Sequence, residues 1–200
     1  MNKELGRPRS FNTEDVLDTV LKVFWEHGFQ STSLNELTSA TGLSKPSLYA
    51  AFGDKKSLYL KALDRYINLL GELHASILIN EPNGRQAVEG FLRSLAKMLT
   101  SPSFPGGCFI INGTADIGGA SVPKEIEVAL RLGSKNIETI LNDRLLRAQR
   151  DGEIEKNTQI KGFCTLLCTL IAGLAVQAKG GASEGSLNLA VSATMDAWPC

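Results

Sequence analysis

At 200 residues, 43% hydrophobic and 21% charged, the chain can bury one or two cores and has the balance of a soluble globular protein, which excludes disorder as the default. Its 21 Lys and Arg cancel 21 Asp and Glu, which argues against bulk electrostatic attachment to nucleic acid and requires any DNA affinity to come from locally placed cations. Cysteines at 108, 164, 168 and 200 contain no C-x-x-C pair, and with His27 and His74 alone the ligands are too few and too scattered for a zinc site. No nucleophile and base stand at a useful spacing either, so neither an enzyme nor a cofactor is expected.

Met1 to Ser10 carries Lys3, Arg7 and Arg9 with no apolar stretch behind them. It is therefore not a secretory signal, and a cytoplasmic location with free thiols is expected. Gly6-Arg7-Pro8-Arg9 reads as an extended basic arm able to reach into a minor groove. Asn12 or Thr13 caps a first helix over about residues 13 to 27, with Glu14 and Asp15 favoured in its first turn by the helix dipole. Val16, Val20, Val23, Phe24 and Trp25 form its apolar face, and Gly28 ends it.

Ser33 and Glu36 form a capping box that starts a second helix, in which Leu34, Leu37 and Ala40 recur at helical spacing. Gly42 ends that helix through a left-handed conformation, and Leu43 plugs the turn. Ser44-Lys45-Pro46 opens a third helix, with Ser44 or Lys45 as the cap. Leu48 and Phe52 face inward, which leaves Lys45, Ser47, Tyr49 and Ala50 on a small, polar outer face. Such a pair is a helix-turn-helix whose second helix suits the DNA major groove, although packed helix pairs outside DNA-binding proteins share the spacing.

Asp54 caps a fourth helix, where Lys55 and Lys56 stand beside the third and Lys55 is the better candidate for a phosphate. Leu58, Leu60, Leu63, Tyr66, Ile67 and Leu70 carry it on toward Ile79 as one rigid rod, until Pro82-Asn83-Gly84 breaks it. A fifth helix follows over 86 to 99. The breaker cluster from Ser101 to Gly107 then leads into apolar Cys108-Phe109-Ile110-Ile111. Cys108 sits where a helix N-terminus lowers a thiol pKa, and it also suits a small core position. Pro123 opens a long helix closed by Asp151-Gly152. Residues 163 to 176 carry no charge, yet this run falls short of the about 20 residues needed to cross a bilayer. It reads instead as a helix apolar on nearly all faces that needs a partner subunit to cover it, with Cys164 and Cys168 as packing residues. Ser183 or Ser186 caps a last helix.

The stretch from Gly6 to Tyr66 resembles the amino-terminal domain of the TetR/AcrR family of bacterial transcriptional regulators. The resemblance rests on Phe24-Trp25-Glu26-His27-Gly28-Phe29, Thr32-Ser33, Gly42-Leu43-Ser44, Leu48-Tyr49, Phe52, Lys55 and Leu58. Two positions depart from the family pattern: Pro46 stands where glycine is frequent and cannot donate an N–H to phosphate, and Ala50-Ala51 stand where histidine or another large polar residue is frequent. The resemblance implies an all-α protein of about nine helices, with a three-helix helix-turn-helix DNA-binding domain over residues 1–53 and a ligand-binding and dimerisation domain over 54–200. It implies a homodimer on a palindromic double-stranded DNA operator, without a membrane, in answer to a small-molecule or electrophile effector. DNA contacts would come from Arg7, Arg9, Thr32, Ser33, Ser44, Lys45, Pro46, Ser47, Tyr49, Ala50 and Lys55, and Cys108 would be the candidate redox or electrophile sensor. The rival reading is a helical small-molecule carrier or enzyme without DNA specificity, which would need convergent polar groups in a cavity between the middle helices.

Overall fold

The structure is a computed structural model that describes residues 11–119 and 121–199. Every regular element among the described residues is helical. In order they are α1 (Thr13–Ser31), α2 (Leu34–Thr41), α3 (Lys45–Phe52), α4 (Lys55–Leu70), a π-helical turn (Gly71–Ala75), α5 (Ser76–Asn80), α6 (Gly84–Leu99), α7 (Phe109–Thr114), α8 (Lys124–Arg150), α9 (Ile160–Lys179) and α10 (Glu184–Asp196). Taken as one rod, α4, the π turn and α5 make this the expected set of about nine helices.

The helix starts follow from the caps. Asn12, not Thr13, accepts from the Glu14 N–H at 3.0 Å, Ser44, not Lys45, accepts from Ser47, and Asp54 accepts from Ser57 at 2.7 Å. Ser183 rather than Ser186 caps α10. The expected end of α1 needs correction. Gly28 does leave the helix, with φ 77° and ψ 177°, but the chain turns helical again as far as Ser31. The kink frees the Phe29 N–H, and Asp116 from the loop after α7 accepts it at 3.0 Å. A side chain at Gly28 would be strained by the positive φ and would crowd Asp116, so this close approach needs glycine.

The expected uniform rod is also modified, because Gly71–Ala75 winds as a π turn, a local widening that often marks functional sites. Its far end is closed by Arg144 of α8, buried, whose guanidinium donates to the carbonyls of Glu81 and Pro82 at 3.0 Å each. The uncharged run 163–176 lies within a longer helix of 20 residues, so the expectation that it is too short for a bilayer does not hold on length: α9 is long and apolar enough to cross one. In this fold Cys164, Leu167, Ile171, Leu174 and Ala178 turn one of its faces into the core instead.

α1 lies along α4, while α6, α8, α9 and α10 pack as a bundle with α7 wedged between α1, α8 and α9. The apolar core is continuous from Val16 in α1 to Met195 in α10. Its densest part is aromatic. Trp25 stacks on Phe104 and meets Tyr66 edge-on at 4.7 Å, and its indole N–H donates to the Gly107 carbonyl at 3.1 Å. Phe24, Phe29 and Phe109 surround Tyr59 edge-on. Through this seam the first three helices are seated on the remainder.

Candidate DNA interface and effector cavity

The helix-turn-helix is built almost wholly by local hydrogen bonds. The Ser33 N–H donates to Glu36 at 2.6 Å and the Glu36 N–H to Ser33 at 3.2 Å, closing the capping box; Gly42, at φ 68°, ends α2 in the left-handed region. Leu37, Leu48 and Phe52 are buried, which fixes α3 against the helices behind it. Ser44, Lys45, Pro46, Ser47 and Ala50 are exposed together on one side, with Tyr49 half-buried beside them. Ser44 and Ser47 share a hydroxyl hydrogen bond of 2.9 Å, and the Lys45 ammonium lies 5.7 Å from the centre of the Tyr49 ring. Asn35 and Thr38 of α2, which the sequence did not single out, line the same open cleft as Ser44 and Lys45.

Other expected contact residues are placed differently. Ser33 is exposed, but Thr32 is buried and its hydroxyl donates to the Gly28 carbonyl at 2.7 Å, so it braces the kink. Lys55 is half-buried, with its ammonium 4.5 Å above the Phe29 ring, and burial lowers its pKa against the pull of Asp116 and Glu36. Lys56 is held by Glu125 at 2.6 Å. Arg7 and Arg9 lie outside the described residues.

The second half of the rod walls a cavity of about 80 Å³ between α4, the π turn, α6, α7, α8 and α9. Its lining is apolar except for Tyr66, His74, Cys108 and Asn136, and none of the described lining residues is Lys, Arg, Asp or Glu. His74 was not foreseen as part of a site. Its Nδ1 is 2.7 Å from the Ser94 hydroxyl and its Nε2 3.3 Å from the Met98 sulfur, and burial lowers its pKa to about 4. Cys108 also lines the cavity. It is buried and accepts from the Tyr66 hydroxyl at 3.2 Å. The thiolate-favouring field expected at the start of α7 is outweighed, since burial raises the thiol pKa above its ordinary value despite backbone N–H groups at Ile110 and Ile111. Cys164 is buried and Cys168 half-buried, the latter with its pKa pushed up to about 11 by burial.

A short exposed helix capped by Ser44 and packed beside a capping-box helix, standing at one end of a rod whose other end walls a largely apolar cavity, is the build of a helix-turn-helix regulator with a sensing domain. Residues 16–62 match the family described as bacterial regulatory proteins, tetR family, and residues 84–194 match the tetracyclin repressor-like C-terminal domain. The chain is 33% identical to the HTH-type transcriptional repressor ComR of Escherichia coli, over 100% of this chain and 94% of that protein. It is 34% identical to the repressor BdcR of the same organism over 54% of this chain and 55% of that one. Among solved structures, the TetR family transcriptional regulator CifR, a cysteine mutant complexed with 26-bp double-strand operator DNA, superposes with a TM-score of 0.88 at 31% identity, covering 97% of this chain and 100% of that one. The chain belongs to the tetR family of bacterial regulatory proteins, and the resemblance read from residues 6 to 66 extends through its C-terminal half.

Proposed function

We propose that the protein is a cytoplasmic transcriptional repressor that binds a palindromic operator as a homodimer and is released by a small molecule in the cavity between α4 and α9. The observation that carries this reading is the shared rod: α4 begins beside α3 and ends as the cavity wall, so a change in cavity volume acts on the element that seats the DNA-reading helix. The repressor names of ComR and BdcR and the operator complex of CifR support it.

α3 would enter the major groove with Lys45, Ser47 and Tyr49 at base edges or phosphates, and Ser33, Ser44, Pro46 and Ala50 beside the backbone. Lys55, with no ion pair among the described residues, would neutralise a phosphate, and Arg7 and Arg9 would follow the minor groove. Thr32 acts through the kink it braces. The dimer would form over the outward faces of α9 and α10, where Thr165, Thr169, Gly173 and Ala190 are small and exposed while Val176 and Leu189 are 62% and 74% exposed. Two copies of α3 would then meet successive grooves about 34–36 Å apart. Cys108 offers a covalent route to the same displacement, but as a buried thiol it would react only with an electrophile small enough to enter the cavity, so a non-covalent effector is the favoured signal.

Selection of bound fragments from genomic DNA at moderate salt tests the reading. Recovery of a palindrome with half-sites one helical turn apart supports it; binding without any preferred sequence would return the protein to the carrier class.

A further inference from the structure

The charge and hydrogen-bonding inventory of the cavity restricts what it accepts, and this argument rests on the sensing role proposed above. Burying an ionised carboxylate or ammonium without a partner is costly, and the described lining has no side chain of fixed charge to pair with either. The volume, about 80 Å³, is near half of the ~150 Å³ apolar cavity that takes benzene, so the molecule is small.

The polar lining groups narrow the class further. The Tyr66 hydroxyl is already donated to Cys108. At His74 the neighbours decide the tautomer. The Met98 sulfur, 3.3 Å from Nε2, has lone pairs and no hydrogen, so a bare Nε2 would set lone pair against lone pair; we assign the proton to Nε2, with Nδ1 accepting from the Ser94 hydroxyl at 2.7 Å. The Nε2–H then rests on a thioether, a weak acceptor. It is a buried donor held in a fixed direction and poorly satisfied, so an oxygen acceptor brought close to it gains a full hydrogen bond.

An approach to this donor is also visible. A surface groove between α4 and α8 shares Ile67, Gly133 and Asn136 with the cavity, and exposed Leu132, 63% accessible, lies along it. Asn136 is exposed at this border, whereas the groove's carboxylate, Asp64, lines the groove alone and not the cavity. Charge is thus confined to the outside.

We infer that the cavity ligand is a small neutral molecule, apolar apart from one acceptor oxygen of the ketone, ester or amide kind, which enters between α4 and α8 and takes its hydrogen bond from His74 Nε2.

The test uses the full-length protein and four small probes with the same number of non-hydrogen atoms: acetone, isobutane, acetate and isopropylammonium. Binding is measured by titration in the NMR spectrum, and operator release by fluorescence anisotropy in the same samples. Acetone should bind at least about tenfold more tightly than either ion. His74→Leu should lower the preference for acetone over isobutane by roughly 2- to 12-fold, the worth of one hydrogen bond. Ser94→Ala, which frees Nδ1 to take the proton, should shift that preference in the same direction and serves if the first variant does not fold. Equal binding of an ion overturns neutrality, an unchanged preference in both variants overturns the role of His74, and no binding of either neutral probe overturns the class altogether. If acetone binds as described and the operator complex persists, the ligand class stands and the release reading fails.

Discussion

The two halves of α4 and its continuation face the same protein interior with opposite results. From Leu58 to Leu63 the inward side chains are buried, with Tyr59 among Phe24, Phe29 and Phe109, and Tyr66, between Trp25 and Phe109, stands at the border of the cavity that it also lines. From Ile67 to Leu78 the same rod loosens into a π turn and leaves a cavity in which a buried histidine bonds a hydroxyl and a thioether. Dense packing transmits displacement because it has no slack, whereas an unfilled space accepts volume. The contrast places rigidity where the DNA-reading helices are seated and adaptability one helical turn further on.

The contrast can be broken most severely at the seam. Trp25→Ala removes a stacked ring and the indole hydrogen bond to Gly107, and a loss of about 3–5 kcal/mol in a denaturant titration is expected. A loss below about 1 kcal/mol would mean that the seam is not close-packed around this ring.

The cavity side should show itself through pH. The folded value of His74 is depressed to about 4 from 6.5, so as pH falls the unfolded chain takes up the proton first. Its contribution to stability is complete above pH 6.5 and is lost on descending toward 4. Between pH 7.5 and 5 the wild type should lose about 2 kcal/mol more than His74→Leu, and parallel curves for the two proteins would show that His74 is solvated.

The smallest expected effect sharpens the seam itself. The Tyr59 hydroxyl is buried without a hydrogen-bond partner among the described residues, the one unsatisfied polar group in that aromatic cluster. Tyr59→Phe should therefore be neutral or stabilise by up to about 1 kcal/mol, and a clear destabilisation would reveal a partner for the hydroxyl.

Much of this architecture was legible before any coordinates. Asn12, Ser33 with Glu36, Ser44 and Asp54 set helix starts through hydrogen bonds that span at most three residues, and Gly42 ends α2 through its left-handed backbone, so the residue types at those positions largely carry the structure. The inward stripe of Val16, Val20 and Phe24 and the inward pair Leu48 and Phe52 likewise follow from helical periodicity. Among the described candidate residues, exposure was readable except at Thr32 and Lys55, whose neighbours arrive from the Gly28 kink and from Phe29, and Asn35 and Thr38 of the same cleft were not singled out. The same local rule misled at Gly28 itself: glycine ends a helix in isolation, but here Asp116, 87 positions beyond Phe29, takes the Phe29 N–H that the kink exposes and lets a last turn form.

The sequence by itself determined the order of the helices, the region in which each starts, the helix-turn-helix and the resemblance to the family, because each is encoded in contacts between near neighbours or in a pattern of residues at fixed spacing. Only the tertiary structure decided the π turn, the burial that raises the Cys108 thiol pKa, and the meeting of His74 with Ser94 and Met98 of α6. Burial and desolvation depend on everything that surrounds a side chain, and those surroundings come from segments that no local spacing relates.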